Sequence, residues 1–167
     1  MFTIREATID DAESIALVLC LAWRWAYSSF LPAEFIEARS QLGPRTKRMR
    51  DFLAKPDLTL VAVDAGGNVI GFVNEFLPPY VEGFDAEIGG LYIAPDSARL
   101  GIGSALVKAM VDHFCSEGKK TMAIHTLADN PISCNFYEKI GGRRHANDTW
   151  NGYPSVWFAW DDLSIFG

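Results

Sequence analysis

The 167-residue chain is poor in the residues that would place it in a special class. It has three cysteines, Cys20, Cys115 and Cys134. Their odd number and lack of metal-ligand spacing exclude a disulfide framework or thiolate metal site as an organising device. Each sits in an apolar or helical stretch and reads as a reduced, small hydrophobe. A basic excess is also missing. Fifteen Lys and Arg face 21 Asp and Glu for a net charge of −6, which argues against nucleic acid as a partner, since neutralising phosphates needs a basic surface. Such a field modestly favours cationic small molecules. No apolar run approaches the ~20 residues of a membrane span. The opening MFTIREATIDD has neither the basic region nor the apolar segment of a signal peptide. The expected setting is cytoplasmic, with no membrane partner, and no internal repeat, linker or low-complexity segment divides the chain.

What is present is a core-forming composition. Hydrophobic residues make up 49%, aromatics 13% and charged residues 22%, which fits one globular domain over residues 1–167. Phe2–Ala7 alternates as a strand. From Thr8, with Asp11 three residues on in a capping-box arrangement, Ile9, Ala12, Ile15, Ala16, Leu19 and Trp23 form a helical stripe. Pro32 suits the first turn of a second helix, Gly43-Pro44 interrupts it, and a further helical stretch runs to about Lys55. Leu58–Val63 and Val69–Leu77 read as strands joined by a hairpin loop, 64–68. Later come a strand at Thr121–Leu127, a helix at Asn130–Ile140 and closing strands at Arg143–Ala146 and Val156–Trp160. The order is that of a mixed three-layer α/β domain.

The segment with most chemical content is Glu87–Leu106, EIGGLYIAPDSARLGIGSAL. Ile88, Leu91 and Ile93 are strand residues and Pro95 ends the run. Gly101-Ile102-Gly103 then opens a helix with apolar pairs Leu106/Val107 and Met110/Val111, closed by Phe114. Glycines at a helix N-terminus allow close backbone approach, and the unpaired N–H groups there attract phosphate. The loop is not a P-loop, because Ser104-Ala105 rather than Lys and Ser/Thr follow the last glycine. A dinucleotide fingerprint is disfavoured because Leu106 stands in its third small position and the loop comes late in the chain.

This segment resembles the central motif of the GNAT superfamily of N-acetyltransferases: a strand, a proline, then Arg/Gln-x-x-Gly-x-Gly/Ala opening a helix. Ala98 stands in the Arg/Gln slot, with Arg99 one place later. A second block, Asn130-Pro-Ile-Ser-Cys-Asn-Phe136-Tyr137-Glu-Lys-Ile-Gly141, resembles the family's N-x-x-A-x-x-F-Y-x-x-x-G-F, with Ser133 for Ala and Gly142 for Phe. The resemblance covers Glu87–Gly142 well and the rest in layout. It implies an acyl-CoA N-acyltransferase fold, with a central mixed sheet of about seven strands and helices on both faces. It also implies acetyl-CoA as co-substrate without a metal, and direct attack by a primary amine of a small molecule or peptide, the enzyme being a monomer or homodimer.

In the family a bulge in the strand before the loop opens a gap beside the next strand, where the pantetheine arm pairs with main chain. Those duties would fall to Leu91, Tyr92 and Ile93, and the pyrophosphate to Arg99, Leu100, Gly101, Ile102, Gly103 and Ser104. The resemblance makes Tyr137 the acid that protonates the leaving thiolate and Asn130 a ligand of the pantetheine arm. On residue type alone, Tyr137 is equally a core aromatic and Asn130 an N-cap before Pro131. Glu87 is the leading base, with Glu75 and His125 as alternatives, because the amine must shed a proton before it attacks. Trp23, Tyr27 and Phe30, with Trp25 beside them, cluster in the region that walls the family's acceptor pocket. Arg45, Lys47, Arg48 and Arg50 read as a solvated helix face. Two other readings remain at this point: a non-catalytic CoA-binding regulatory module, and transfer to a hydroxyl.

Overall fold

The computed structural model describes residues 1–167, and its elements follow the pattern of apolar residues with a few shifted ends. In chain order they are β1 (Phe2–Glu6), α1 (Ala12–Tyr27), α2 (Ala33–Arg39), α3 (Leu42–Leu53), β2 (Thr59–Asp64), β3 (Val69–Glu75), β4 (Ala86–Ile93), α4 (Ile102–Ser116), β5 (Met122–Leu127), α5 (Pro131–Lys139), β6 (Arg143–Trp150) and β7 (Tyr153–Trp160). The seven strands form one mixed sheet in the order β1-β2-β3-β4-β5-β7-β6. No helix is long and apolar enough to cross a membrane.

By its contacts the chain divides into two compact units. One comprises Met1–Asn74 and Gly90–Met110, the other Glu75–Gly89 and Val111–Gly167. In the first, β1 and β2 pair antiparallel, as do β2 and β3. Its interior holds Ile15, Val61, Phe72, Val73, Ile102 and Leu106, each no more than 2% exposed. A 3-10 turn at Ile9–Asp11 precedes α1. Asp11 accepts from the Thr8 N–H at 2.8 Å and forks with Arg5 at 2.8 Å on both oxygens. That pairing holds the Asp11 carboxyl down at about 2.

Gly43-Pro44 does not break a helix, contrary to the sequence expectation. The break falls at Ser40–Gln41, and α3 begins at Leu42 with Pro44 in its first turn. There the missing N–H of proline has no intrahelical partner to lose. The 64–68 loop closes as expected, with Asp64 Oδ1 accepting from the N–H groups of Gly66 and Asn68 at 2.9 and 2.8 Å.

In the second unit, β4 and β5 run parallel through Ala86↔Met122, Glu87↔Ala123 and Ile88↔Ile124. β5 continues antiparallel to β7, and β7 pairs with β6. Phe114, Met122, Ile124 and Phe158 fill this interior, none more than 2% exposed. β6 runs to Trp150 and β7 starts at Tyr153, so the closing hairpin is longer than expected. Asn151 and Gly152, both with positive φ of 50° and 81°, make its two-residue turn.

Candidate functional site

Each unit carries part of the predicted chemistry, and each part follows from local backbone requirements. In the first, β4 leads through Pro95 and a 3-10 turn at Pro95–Ser97 into α4. Arg99 and Gly101 both adopt left-handed backbone, φ 66° and 81°. A Cβ at Gly101 would meet no atom within 4 Å, so its glycine is required by φ rather than by space. The turn delivers the chain to Ile102, which is 1% exposed and anchors α4 in the core. Arg99, Leu100, Gly101 and Ser104 stay exposed. The first-turn N–H groups of a helix have no partner within it, so this exposed corner presents donors and a positive helix end. Ala98 is extended (ψ 150°) and caps the preceding turn.

β4 itself is irregular. Phe76 N–H donates to the Glu87 carbonyl, and Ala94 N–H to the Ile70 carbonyl. From one bond to the other β3 advances six positions (70 to 76) and β4 seven (87 to 94), so β4 carries one extra residue, the mark of a β-bulge. Gly89-Gly90 falls within that interval. A Cβ on Gly90 would come within 3.0 Å of Asn74 Oδ1 and 3.1 Å of the Tyr92 ring. Beyond the bulge, Tyr92 stacks on Phe72 (centroids 5.5 Å, 29°). Ile93 turns to the opposite face, against the Gly71 and Ile102 side.

Trp23, Tyr27 and Phe30 form an edge-to-face chain at 4.6 and 5.7 Å, with Trp23 and Tyr27 buried and Phe30 half-buried. Trp25 faces solvent at 45% exposure. The basic stretch of α3 corrects the sequence expectation in one place. Lys47, Arg48 and Arg50 are exposed as expected, but Arg45 turns inward over Trp23, its guanidinium 5.4 Å from the ring centroid.

In the second unit, Glu87 is only 3% exposed. Its Oε2 accepts from the Tyr80 N–H at 2.6 Å and the Val81 N–H at 3.4 Å. Burial pushes the Glu87 carboxyl up, and the two backbone donors partly offset this. Glu75 is also buried but points the other way. Phe76, its neighbour in sequence, packs against Tyr80 on the Glu87 side. The Glu75 carboxylate instead meets His113 Nε2 at 3.7 Å and Lys119 Nζ at 3.5 Å on α4 and its exit. Glu117 joins the same cluster, 3.5 Å from His113 and 2.8 Å from Lys119. The three ligand-type side chains Glu75, His113 and Glu117 lie within 4.8 Å of one another. Lys119, bonded to both carboxylates, already supplies the cation there.

Parallel pairing of β4 with β5 ends at Ile88/Ile124, whereas His125, Thr126 and Leu127 pair only with β7. His125 stacks on Trp157 at 4.6 Å, and the Trp157 indole N–H donates to Asp148. Burial lowers the His125 value, and Asp148 opposes this. Tyr137, 5% exposed, packs against Phe158 and Trp160 on the other side of the sheet.

Asn130 caps α5: its Oδ1 accepts from Ile132 and Ser133 N–H at 3.1 and 3.3 Å, and its Nδ2 donates to Ser133 Oγ at 2.7 Å. The two departures from the second block thus have local causes. Ser133 supplies the acceptor for the capping asparagine. A Cβ at Gly142 would lie 2.7 Å from the Trp160 ring and 2.9 Å from the Tyr137 carbonyl, so no side chain fits there.

The seven-stranded mixed sheet and the glycine turn feeding a helix N-terminus match the layout of the GNAT class of acyltransferases. A profile described as the Acetyltransferase (GNAT) family matches residues 20–142, and the chain belongs to that family. It is therefore an acetyl-CoA-dependent N-acetyltransferase. It is 29% identical over 172 aligned residues to the uncharacterized N-acetyltransferase YuaI of Bacillus subtilis, covering 98% of this chain and 95% of that one. The mycothiol acetyltransferase of Pseudarthrobacter chlorophenolicus is 32% identical over 108 residues, covering 63% of this chain but only 33% of that longer protein. The PaiA N-acetyltransferase of Thermoplasma acidophilum, solved in complex with coenzyme A, has the same fold. It superposes with a TM-score of 0.80 at 21% identity, covering 96% of this chain and 99% of its own.

Proposed function

We propose that the acceptor is a primary amine and that acetyl passes to it directly, with Glu87 as general base and Tyr137 as general acid. The observation that carries this reading is the state of Glu87: a buried carboxylate held only by backbone N–H groups, with no cation beside it. Burial without a counter-ion raises proton affinity, which is what a base for an ammonium group needs.

In this reading the pyrophosphate of acetyl-CoA rests on the N–H groups at the Gly101–Ser104 turn, with Arg99 and Leu100 flanking it. The pantetheine arm pairs with main chain at Leu91–Ile93. Asn130, whose side chain is committed to capping α5, serves the cofactor by fixing the start of that helix. Glu87 takes a proton from the amine directly or through one water. The nitrogen then attacks the thioester carbonyl, the C–N bond forms, and collapse of the tetrahedral intermediate breaks the C–S bond. The thiolate takes a proton from Tyr137, and the second proton on the attacking nitrogen passes through water to restore the Tyr137 hydroxyl. Glu87 releases its proton to solvent, giving neutral amide and free CoA. Trp23, Tyr27 and Phe30 wall the acceptor.

Release of free thiol from acetyl-CoA across a panel of primary amines and matched alcohols tests the proposal. Turnover with amines alone is the expected result. Turnover with alcohols alone would refute an amine acceptor.

A further inference from the structure

Four arginines of this chain are answered by a carboxylate: Arg5 by Asp11, Arg24 by Glu37, Arg143 by Asp161 and Arg144 by Glu138. Arg45 is not. It stands in the first turn of α3, half-buried, with its Nε–H donating to the Arg39 carbonyl and its plane over the Trp23 indole. The ionisable groups acting on it are Tyr92, Cys20, Arg48 and Arg39, none of them a carboxylate. Burial accordingly pushes the guanidinium below its ordinary value. A cation drawn partly out of water without a counter-ion is costly, and an anion arriving from outside would relieve that cost. The terminal nitrogens of Arg45 make no hydrogen bond within the chain, which leaves the forked edge that binds carboxylates bidentately.

We propose that Arg45, held by Trp23 and the Arg39 carbonyl, is an anion subsite of the acceptor, and that the acceptor is an amine that also carries a carboxylate, such as an amino acid or peptide. The inference rests on the amine-acetylation reading above and narrows it. Tyr92, one of the ionisable groups whose field reaches Arg45, lies on the face where its ring stacks on Phe72. The glycine turn joins the core through Ile102 on the opposite face, with Ile93 and Gly71. The anion met by Arg45 is therefore not the cofactor pyrophosphate. Although the whole chain is at −6, Arg39 and Arg48 beside Arg45 make the local field positive. A carboxylate suits this setting better than a phosphate, because a single planar fork matches one monoanion.

The test compares each amino acid with its own carboxamide, the amine being unchanged. The parent enzyme is expected to prefer the acid by roughly 10- to 100-fold in kcat/KM, carried mainly by KM, the range for losing hydrogen bonds to a charged group. Arg45→Gln should bring that ratio to about one, the acid losing far more than the carboxamide, and Arg45→Lys should keep part of it. Equal preference in parent and Arg45→Gln would overturn the subsite, as would a parent that favours the carboxamide. If no amine is acetylated, the functional reading fails by itself. Calorimetric binding of N-acetyl amino acids to parent and Arg45→Gln still reads the subsite separately: binding lost with the guanidinium supports it, and equal or absent binding in both overturns it.

Discussion

Replacing Glu87 by Gln tests the acid–base assignment, and the structure sets the expected size of the effect. The side chain is almost fully buried, and one oxygen is bonded by the Tyr80 and Val81 N–H groups. Glutamine keeps a carbonyl for that pair and has nearly the same volume, so the loop carrying Tyr80 should stay in place. It also removes a carboxyl whose ionised form burial disfavours, so the melting temperature should change little. Activity should change much more. An amine with a pKa near ~10.4 is unprotonated in only about 1 molecule in 2,500 at pH 7, and a positioned base contributes about 10²–10⁴-fold.

The pH profile separates a base from a structural residue. In the parent, kcat/KM should rise as the Glu87 carboxyl ionises, at a pH above the ordinary glutamate range because its value is raised. In Glu87→Gln that limb should vanish, leaving a slope of about one decade per pH unit that tracks free amine. The loss should thus shrink at high pH. Stopped assays of thiol release from pH 5 to 10, with circular dichroism on both proteins, provide the comparison. A loss of equal size at every pH would refute general-base action, and no loss would move the role to His125. Glu75, the other alternative, is already paired with Lys119.

Four further outcomes are expected. Gly103→Val, in the first turn of α4, should weaken CoA binding in calorimetry without unfolding the chain, and unchanged affinity would remove the turn from the cofactor site. Tyr137→Phe should lower kcat, toward the lower end of about 10²–10⁴-fold where water substitutes, with little change in the KM for acetyl-CoA. An unchanged kcat would leave Tyr137 as a packing residue against Phe158 and Trp160. Gly142→Ala should destabilise the fold by about 1–3 kcal/mol in urea titration, because its Cβ meets the Trp160 ring and the Tyr137 carbonyl; a neutral result would show that Trp160 moves freely. Arg5→Ala should cost about 1 kcal/mol at pH 7, discounted because Arg5 is half exposed. Asp11 has a folded value near 2 against 3.8 ordinarily. The stabilisation is therefore present above about pH 4 and lost as pH falls through 2, so parent and variant should converge in acid.

The parts of the site that were legible in the sequence are those whose chemistry is local. The glycine turn needs φ > 0 at Gly101 and a helix directly after it, and both are written within a few residues. The Asn130 cap is likewise read from Asn-Pro before an apolar run. Orientation was not legible. Arg45, Lys47, Arg48 and Arg50 form one basic stretch, and nothing local says that Arg45 alone turns onto Trp23, since Trp23 lies 22 positions earlier on α1. The length of β6 was missed because RRHANDTW lies at the sheet edge, exposed over seven of its eight residues, and so lacks apolar alternation. Its Asn-Gly turn was the available signal. Pro44 was read as a breaker because its distance from the helix start could not be known without the break at Ser40–Gln41.

The two buried glutamates differ in how their charge is answered. Glu75 and Glu87 are the same residue type on successive strands, and both are almost fully buried. Glu75 sits against His113 and Lys119, so its charge is answered by the Lys119 ammonium already in the fold. Taking a proton there would weaken that ion pair. Glu87 has only backbone dipoles for company, and they hold one oxygen while leaving the other without a donor from the chain. Its protonated and ionised forms are therefore closer in free energy, as proton exchange near neutral pH requires. The interval of β4 that holds the extra residue includes Gly89-Gly90, and a side chain at Gly90 would press on Asn74 and Tyr92. Tyr92 then projects toward Phe72, the residue two before Asn74 on β3, while Ile93 joins Ile102 on the opposite face. Ordinary alternation along β4 thus turns Tyr92 toward Phe72 and Ile93 toward the helix that begins at the glycine turn.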